Sequence, residues 1–144
     1  MKFTPKDENF VEKVRASFSA QSVMKMIGAQ ITKIEAGAVD IELPYRKDLT
    51  QQNGFVHAGI ITAIADTACG YAAFSLMPKD ADVLSVEFKV NLLSPAIGEK
   101  FLAEGRVLRA GKTLTIVQGN VFAISENQQK HVAAMLATLM CLQK

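Results

Sequence analysis

The side chains of this chain that could carry out acid–base or nucleophilic chemistry lie close together, between Gln51 and Asp66. His57 follows a polar loop that contains a glycine, and Asp66 comes nine residues later within a run of apolar and small side chains. A carboxylate inside an apolar helix is costly to bury, so it needs a partner or a chemical role. An ionised carboxylate can act as a general base on water or as a nucleophile.

The apolar run around Asp66 predicts one long helix, from Ala58 to Met77. At 1.5 Å per residue, its about 20 residues extend roughly 30 Å. A helix without a polar face either crosses a membrane or is buried on all sides. The flanking segments alternate apolar and polar residues with a period of two, which is typical of strands, and no second apolar span follows. This pattern favours a buried central helix and no membrane partner.

The other elements are predicted from periodicity and from turn residues. An amphipathic helix is expected from about Pro5 to Ser19, with Thr4 as its N-cap, and a short helical turn from Ser22 to Ile27 ends at Gly28. Strands are predicted at residues 29–35, 39–43, 84–92, 101–109, 113–125 and 131–142. Successive strands joined by short turns pair antiparallel, so we expect an α+β fold with an antiparallel sheet curled round one long helix.

The strand at residues 84–92 is expected to be half-buried, with Ser85 on its polar face. All of these elements fit a single domain that spans residues 1–144, a length sufficient to bury a core.

The spacing of His57 and Asp66 restricts how they can cooperate. Within one helix, nine residues make two and a half turns, so the two side chains point to opposite sides and lie about 13 Å apart along the axis. A twofold dimer would instead bring the loop of one chain towards Asp66 of the other. The helix N-terminus near Ala58 and Gly59 offers unpaired N–H groups and a partial positive charge, which suit a developing oxyanion.

Composition excludes several classes of function. A net charge of +2 is too small to indicate a nucleic acid or an anionic membrane as partner. Cys69 and Cys141 lie in apolar elements and are interpreted as reduced thiols, and the N-terminus lacks the apolar run of a signal peptide. These features favour a cytoplasmic location for the protein. No metal-ligand cluster and no phosphate-binding glycine loop is present, so no metal or cofactor is predicted.

The central pattern resembles a known family. Gln51-x-x-Gly54-x-x-His57-x-Gly59 followed by Asp66 is similar to the PaaI-like (phenylacetate-degradation type) thioesterases, as are the runs at residues 85–88, 93–96, 98–99 and 111–113. The similarity covers residue 31 to the C-terminus. It implies a hotdog fold, a homodimer with a continuous sheet that often pairs into a tetramer, and hydrolysis of acyl-CoA thioesters at sites shared between subunits.

The resemblance also implies roles for individual residues. Asp66 corresponds to the catalytic carboxylate of the family, and the backbone N–H of Ala58 to the oxyanion donor. Gln51 falls where relatives carry an amide that positions water or the carbonyl. Ser85 matches a serine that helps to hold the water, and His57 matches a histidine that shapes the loop.

This chain departs from the family pattern at one position. The usual His-Gly-Gly reads His57-Ala58-Gly59 here, and the added methyl group predicts a narrower acyl pocket. Gly59 and Asn53 are expected to contribute to substrate binding, although the spacing to His57 favours Gln51 over Asn53 as the family's amide.

Arg109 and Lys112, together with Arg106, are basic residues near one turn that could bind the phosphates of CoA. The alternative is an ordinary solvated face.

Structural roles also stay open for the site residues: an ion-paired Asp66, a His57 that bonds only the backbone, a solvated Ser85 and an ordinary loop Gln51. Two alternative functions also stay open for a protein of this fold: non-catalytic binding of acyl-CoA, and hydratase activity.

Overall fold

The computed structural model describes residues 2–144 and contains three α-helices, one 3-10 turn and six strands within that range. The helices are α1 (Phe10–Ala20), α2 (Ser22–Ile27) and α3 (Ala58–Phe74), and the 3-10 turn is Lys47–Leu49. The strands are β1 (Gln30–Glu35), β2 (Ala38–Pro44), β3 (Ala81–Leu92), β4 (Lys100–Ala110), β5 (Leu114–Ser125) and β6 (Gln128–Gln143). The predicted α+β order of elements is confirmed.

Helix α3 is the centre of the core, and it contacts every strand from β2 to β6. It begins at the predicted Ala58 but ends at Phe74, three residues before the predicted Met77, because Ser75 to Met77 form a turn before Pro78. Ten of its 17 residues are buried. Within residues 2–144, no helix combines the length and the hydropathy needed to cross a membrane.

Small residues let α3 rest directly on the sheet. Gly105 of β4 lies against the Ala68 carbonyl of the helix, and Gly119 of β5 lies against the Cys69 sulfur. A side chain at either glycine would occupy space that the helix already fills. The buried alanines of α3, such as Ala68 and Ala72, therefore form a packing surface, whereas Gly70 borders an open cleft.

The sheet has the order β1-β2-β4-β5-β6-β3, and all neighbouring strands are antiparallel. The expectation that successive strands pair is wrong for β3 and β4, because β5 and β6 lie between them. The short connection between β3 and β4 does not form a hairpin. The Leu93 N–H donates to the Val132 carbonyl (2.8 Å), and the Ala96 carbonyl accepts from the Val56 N–H (3.1 Å) in the loop before α3.

The N-terminal helix starts later than predicted. It begins at Phe10 with Asn9 as the N-cap, whereas Thr4 and Pro5 precede the helix. Residues before the helix are held by Asp7, whose carboxylate accepts from the Asn9 N–H (2.9 Å) and lies 3.9 Å from the Lys13 ammonium group. The predicted end of α2 is confirmed, since Gly28 has a φ of 82° and caps that helix.

Strand β3 forms one edge of the sheet, and its outer backbone edge has no neighbouring strand within residues 2–144. The prediction that β3 is half-buried is wrong for a single chain. Leu84, Val86, Phe88 and Leu92 are 41–55% exposed. A long, apolar and unpaired strand edge is a surface that proteins normally cover or protect.

The expected placement of Ser85 on the polar face of β3 is also wrong. The register of β3 on β6 shifts between Ser85 and Glu87, so the alternation of faces changes along the strand. Ser85 lies opposite the buried Leu139 and therefore faces helix α3. A single-residue irregularity turns this side chain towards α3, where it borders an open cleft and stays exposed.

Replacing Gly105 with alanine tests the direct contact between helix and sheet. The added Cβ would overlap the Ala68 carbonyl and lie 2.8 Å from the Cys69 amide nitrogen, so α3 must move away. We expect the free energy of unfolding to fall by about 1–3 kcal/mol, the usual effect of overpacking, as measured by chemical denaturation.

Gly70→Ala is the matched control within α3 itself. Nothing lies within 4 Å of a methyl group at this position, and alanine favours a helix over glycine by about 1 kcal/mol. The control should therefore keep or raise the stability. An unchanged denaturation midpoint for Gly105→Ala would contradict the close packing of helix and sheet.

Candidate active site

Asp66 and Ser85 form the polar pair at the centre of the candidate site. Asp66 lies in the middle of α3 and is half-buried, and the Ser85 hydroxyl donates to its Oδ1 at 2.7 Å. No salt bridge to Asp66 is present within residues 2–144. An ionised carboxylate offers about four lone-pair positions, so this single bond leaves the group free to accept a hydrogen bond from water.

The pair opens into a cleft of about 580 Å³ between α3, β3 and the junction of α1 with α2. Val83 and Leu84 of β3 and Val23 and Met24 of α2 supply its apolar walls. The cleft is wide enough and open enough to admit an organic substrate to Asp66.

The N-terminus of α3 leaves one amide donor unpaired. His57 caps the helix: its Nδ1 accepts from the Gly59 N–H at 2.8 Å, and its carbonyl accepts from Ile60 and Ile61 at 2.9 and 3.2 Å. Within residues 2–144, the Ala58 N–H has no acceptor. It is therefore the group of the first helical turn that can donate to a substrate oxygen.

Gln51 has a structural role that the sequence left open. Its Oε1 accepts from the Asn53 N–H and, at 3.3 Å, from the Phe55 N–H, which closes the loop before α3. Gly54 at the turn has a φ of 83°, which favours glycine. The side-chain NH₂ of Gln51 makes no hydrogen bond within residues 2–144, and Asn53 is exposed beside it.

The predicted site residues fall into separate places within one chain. Asp66 and Ser85 line the large cleft, whereas Gln51 and Ala58 line a second pocket of about 330 Å³ beside the β3–β4 connection. His57 and Gly59 border a third, shallow pocket of about 290 Å³. The structure thus keeps the carboxylate and the amide donor apart in a single chain.

The basic residues lie outside both main pockets. Lys112 is exposed and borders a cavity of about 340 Å³ near the C-terminal end of α3, and Arg109 is exposed at the end of β4. Arg106 is occupied, since it pairs with Asp40 and lies 3.6 Å from Glu104. The binding of CoA phosphates by Arg109 and Lys112 stays a prediction.

Sequence reasoning missed the other polar side chains that line the cleft of Asp66. Ser17, Gln21, Thr67 and Tyr71 line the same cleft and hydrogen-bond to one another. Ser17 and Gln21 lie about 50 residues before their partners on α3. No local pattern in the sequence signals such a contact.

Cys69 of α3 does not supply a nucleophile. Its side chain is fully buried, and burial raises the pKa of this thiol to about 12, with a further contribution from the negative charge of Asp66. The thiol stays protonated at neutral pH, and a protonated thiol is a poor nucleophile. Among residues 2–144, no three His, Cys, Asp or Glu side chains are grouped to hold a metal ion.

Comparison with known proteins decides the family. A family model described as the thioesterase superfamily matches residues 53–129, just over half of the chain, and this match includes the helix with Asp66. The chain belongs to the thioesterase superfamily.

Solved structures support this membership. A thioesterase family protein from Silicibacter pomeroyi is 47% identical, with a TM-score of 0.92 over 94% of this chain and 99% of that one. The PaaI protein of the phenylacetic acid degradation operon of E. coli superposes with a TM-score of 0.82 over 94% of both chains; at 18% identity this likeness concerns the fold. The predicted family and hotdog fold are confirmed.

A curated relative points to the same chemistry in coarser terms. A protein of Saccharolobus solfataricus named "Putative esterase" is 34% identical over 69% of this chain and 70% of its own length. Thioesterases and esterases both hydrolyse the bond between an acyl group and its leaving group, which is a thiol in a thioester and an alcohol in an ester. The hydrolase class of this thioesterase-family protein is thereby supported.

The two cysteines should differ in reactivity. Cys69 is buried with a raised pKa, whereas Cys141 is partly exposed. We expect a thiol reagent to modify the native protein once, at Cys141, and to modify Cys69 only after unfolding in denaturant. Peptide mass spectrometry locates the label, and Cys141→Ala is the control that should abolish native labelling. Fast labelling of Cys69 in the native protein would rule out the buried, protonated thiol.

Proposed function

We propose that this protein is an acyl-CoA thioesterase whose active sites are shared between two chains of a homodimer. The observation that supports it most directly is the division of the chemical groups. One cleft holds a half-buried carboxylate bonded to Ser85, and another pocket holds the unpaired Ala58 N–H. Each group suits one half of thioester hydrolysis.

The reaction needs a base for water and a donor for the oxyanion. Asp66, oriented by Ser85, removes a proton from water as the water oxygen bonds to the thioester carbonyl carbon. The carbonyl oxygen becomes negative and receives the hydrogen bond from the Ala58 N–H at the positive end of the α3 dipole. The C–S bond then breaks, and the CoA thiolate takes up a proton as the free acid leaves.

A variant of this chemistry uses Asp66 as the nucleophile. Its carboxylate attacks the carbonyl carbon, the C–S bond breaks as the CoA thiolate leaves, and water then hydrolyses the resulting anhydride to the free acid and Asp66. Both routes place the same demand on the site, because the oxyanion forms near the Ala58 N–H in each.

Pairing of β3 with the β3 of a second chain would explain how the two chains share their active sites. When one strand pairs with its own copy across a twofold axis, the two copies run antiparallel. The beginning of β3, with Val83 and Ser85 in the Asp66 cleft, then lies towards the end of the partner's β3. Leu92 at that end borders the pocket of Ala58. Pairing therefore brings the carboxylate of one chain towards the amide donor of the other.

The exposed side chains of β3 support the same assembly. Phe88 lies opposite the buried Ala137, so it faces inward, yet it is 41% exposed. Leu92 lies opposite the buried Ala133 and is 55% exposed. Inward-facing apolar residues at an unpaired edge become buried when a second β3 extends the sheet. This burial stabilises the pair by about 25 cal/mol per Å² of apolar surface.

Substituting Asp66 tests the hydrolysis itself. We expect Asp66→Asn to lower kcat by about 10²–10⁴ because asparagine cannot accept the proton of water, with the smaller loss for Ser85→Ala, which only orients the base. Steady-state release of free CoA from a panel of short, long and aromatic acyl-CoAs measures both variants.

Glu35→Gln is the matched control, since Glu35 is an exposed carboxylate on β1 at the other edge of the sheet. It should keep wild-type activity. Full activity of Asp66→Asn on every acyl-CoA would refute the proposed role of Asp66. Wild-type protein that binds acyl-CoAs without turnover would instead favour an acyl-CoA-binding protein on the same scaffold.

Mixed dimers test the sharing of sites. Ala58→Pro removes the amide donor, and the helix tolerates it because proline fits the first helical position and His57 has a ψ of 136°. Alone, this variant should lose about 10²–10³ in kcat. An equal mixture with Asp66→Asn should recover about a quarter of wild-type activity, because half of the dimers would be mixed and each would contain one intact site of two.

Native mass spectrometry confirms that the subunits of the two variants have exchanged. Exchange without any recovery of activity would show that Asp66 and Ala58 act within the same chain. A wild-type protein that stays monomeric at assay concentrations while remaining active would lead to the same conclusion.

A further inference from the structure

Four hydrogen-bonded side chains form a polar corner of the Asp66 cleft. The polar corner consists of Ser17, Gln21, Thr67 and Tyr71. The Gln21 amide nitrogen donates to the Tyr71 hydroxyl at 3.2 Å, and its carbonyl oxygen accepts from Thr67 at 3.4 Å. Ser17 and Tyr71 share a hydrogen bond of 3.1 Å. Gln21 thereby ties the junction of α1 and α2 to helix α3.

The polar corner extends along the helix from Thr67, the residue after Asp66, to Tyr71. Tyr71 follows Asp66 by five residues, which is about 7.5 Å along the axis. Val23 and Leu84 form part of the apolar wall of the same cleft. An acyl group whose thioester carbonyl lies at Asp66 would therefore run along apolar side chains and end at polar ones.

Some hydrogen-bonding capacity in the corner is unused. The Gln21 NH₂ group has two hydrogens and donates one, and its carbonyl oxygen can accept a second bond. A hydrocarbon end placed here would displace water from these groups without replacing its bonds, which is unfavourable. A negatively charged end is also disfavoured, because none of the basic side chains among residues 2–144 lines the cleft, whereas the carboxylate of Asp66 does.

We infer that the polar corner selects acyl groups that carry a neutral hydrogen-bonding group, such as a hydroxyl, at their far end. Gln21 and Tyr71 are then the residues that determine acyl specificity. The inference rests on the proposed thioesterase function, because it places the acyl group in the Asp66 cleft.

Two acyl-CoAs that differ in one group test the inference. Heptanoyl-CoA and 6-hydroxyhexanoyl-CoA have the same length and differ by a methyl group in place of a hydroxyl; nonanoyl-CoA and 8-hydroxyoctanoyl-CoA form a longer pair. We expect wild-type kcat/KM to be about tenfold higher for the hydroxylated member of at least one pair. Gln21→Leu and Tyr71→Phe should bring this ratio to one or below.

The ratio is independent of the folded fraction, since both substrates meet the same enzyme preparation. Ser19→Ala is the control, because Ser19 is exposed on α1 and lies outside the cleft; it should keep the wild-type ratio. Equal kcat/KM for both members of both pairs would overturn the inference and leave the thioesterase function intact.

If no acyl-CoA is hydrolysed, the proposed function fails, and calorimetric binding of the same four compounds decides the inference. Tighter binding of a hydroxylated member that is lost in Gln21→Leu supports the polar corner as a recognition site. Equal binding within each pair, or no binding at all, overturns it.

Discussion

A carboxylate in the middle of an apolar helix must replace the water that it loses on folding, and this constraint shapes the whole molecule. Helix α3 is covered by the sheet on most sides, and its close contact with Gly105 leaves no room there for a charged group. Asp66 instead faces the side where β3 passes as an edge strand. Ser85 of that strand supplies the hydrogen bond, and an open cleft supplies access to solvent.

The same arrangement explains why one chain holds separate pockets. A straight helix carries its charged middle and its positive N-terminus at different places along its length, so the Asp66 carboxylate and the Ala58 N–H cannot meet within one chain. The Asp66 cleft and the Ala58 pocket are both bordered by β3, one by its beginning and the other by its end. In the proposed dimer, the free edge of β3 therefore joins the chemistry of the site to the assembly of two chains.

Several residues near the site serve the scaffold as well as the proposed reaction. His57 caps α3 through Nδ1, and the carbonyl oxygen of Gln51 closes the preceding loop. Both contacts hold the Ala58 N–H in place. In the proposed thioesterase, the methyl group of Ala58 and the polar corner around Gln21 would affect which acyl groups fit rather than which bond is broken.

Local sequence patterns determined much of this protein. The start of α3 at Ala58, the end of α2 at Gly28, the strand positions to within three residues and the isolation of Asp66 all follow from periodicity and from residue types that act over a few neighbours. The central motif around His57 likewise indicated the family. Each of these signals is contained in a short stretch of chain.

Only the tertiary structure decided the long-range arrangement. The position of β3 beside β6, the turn of Ser85 towards α3 by a register shift, and the contact of Gln21 with Tyr71 join residues that are far apart in sequence. Such contacts depend on which surfaces the complete sheet buries and which it leaves open. Alternation within one strand cannot report this, because the same pattern suits either an edge or a centre.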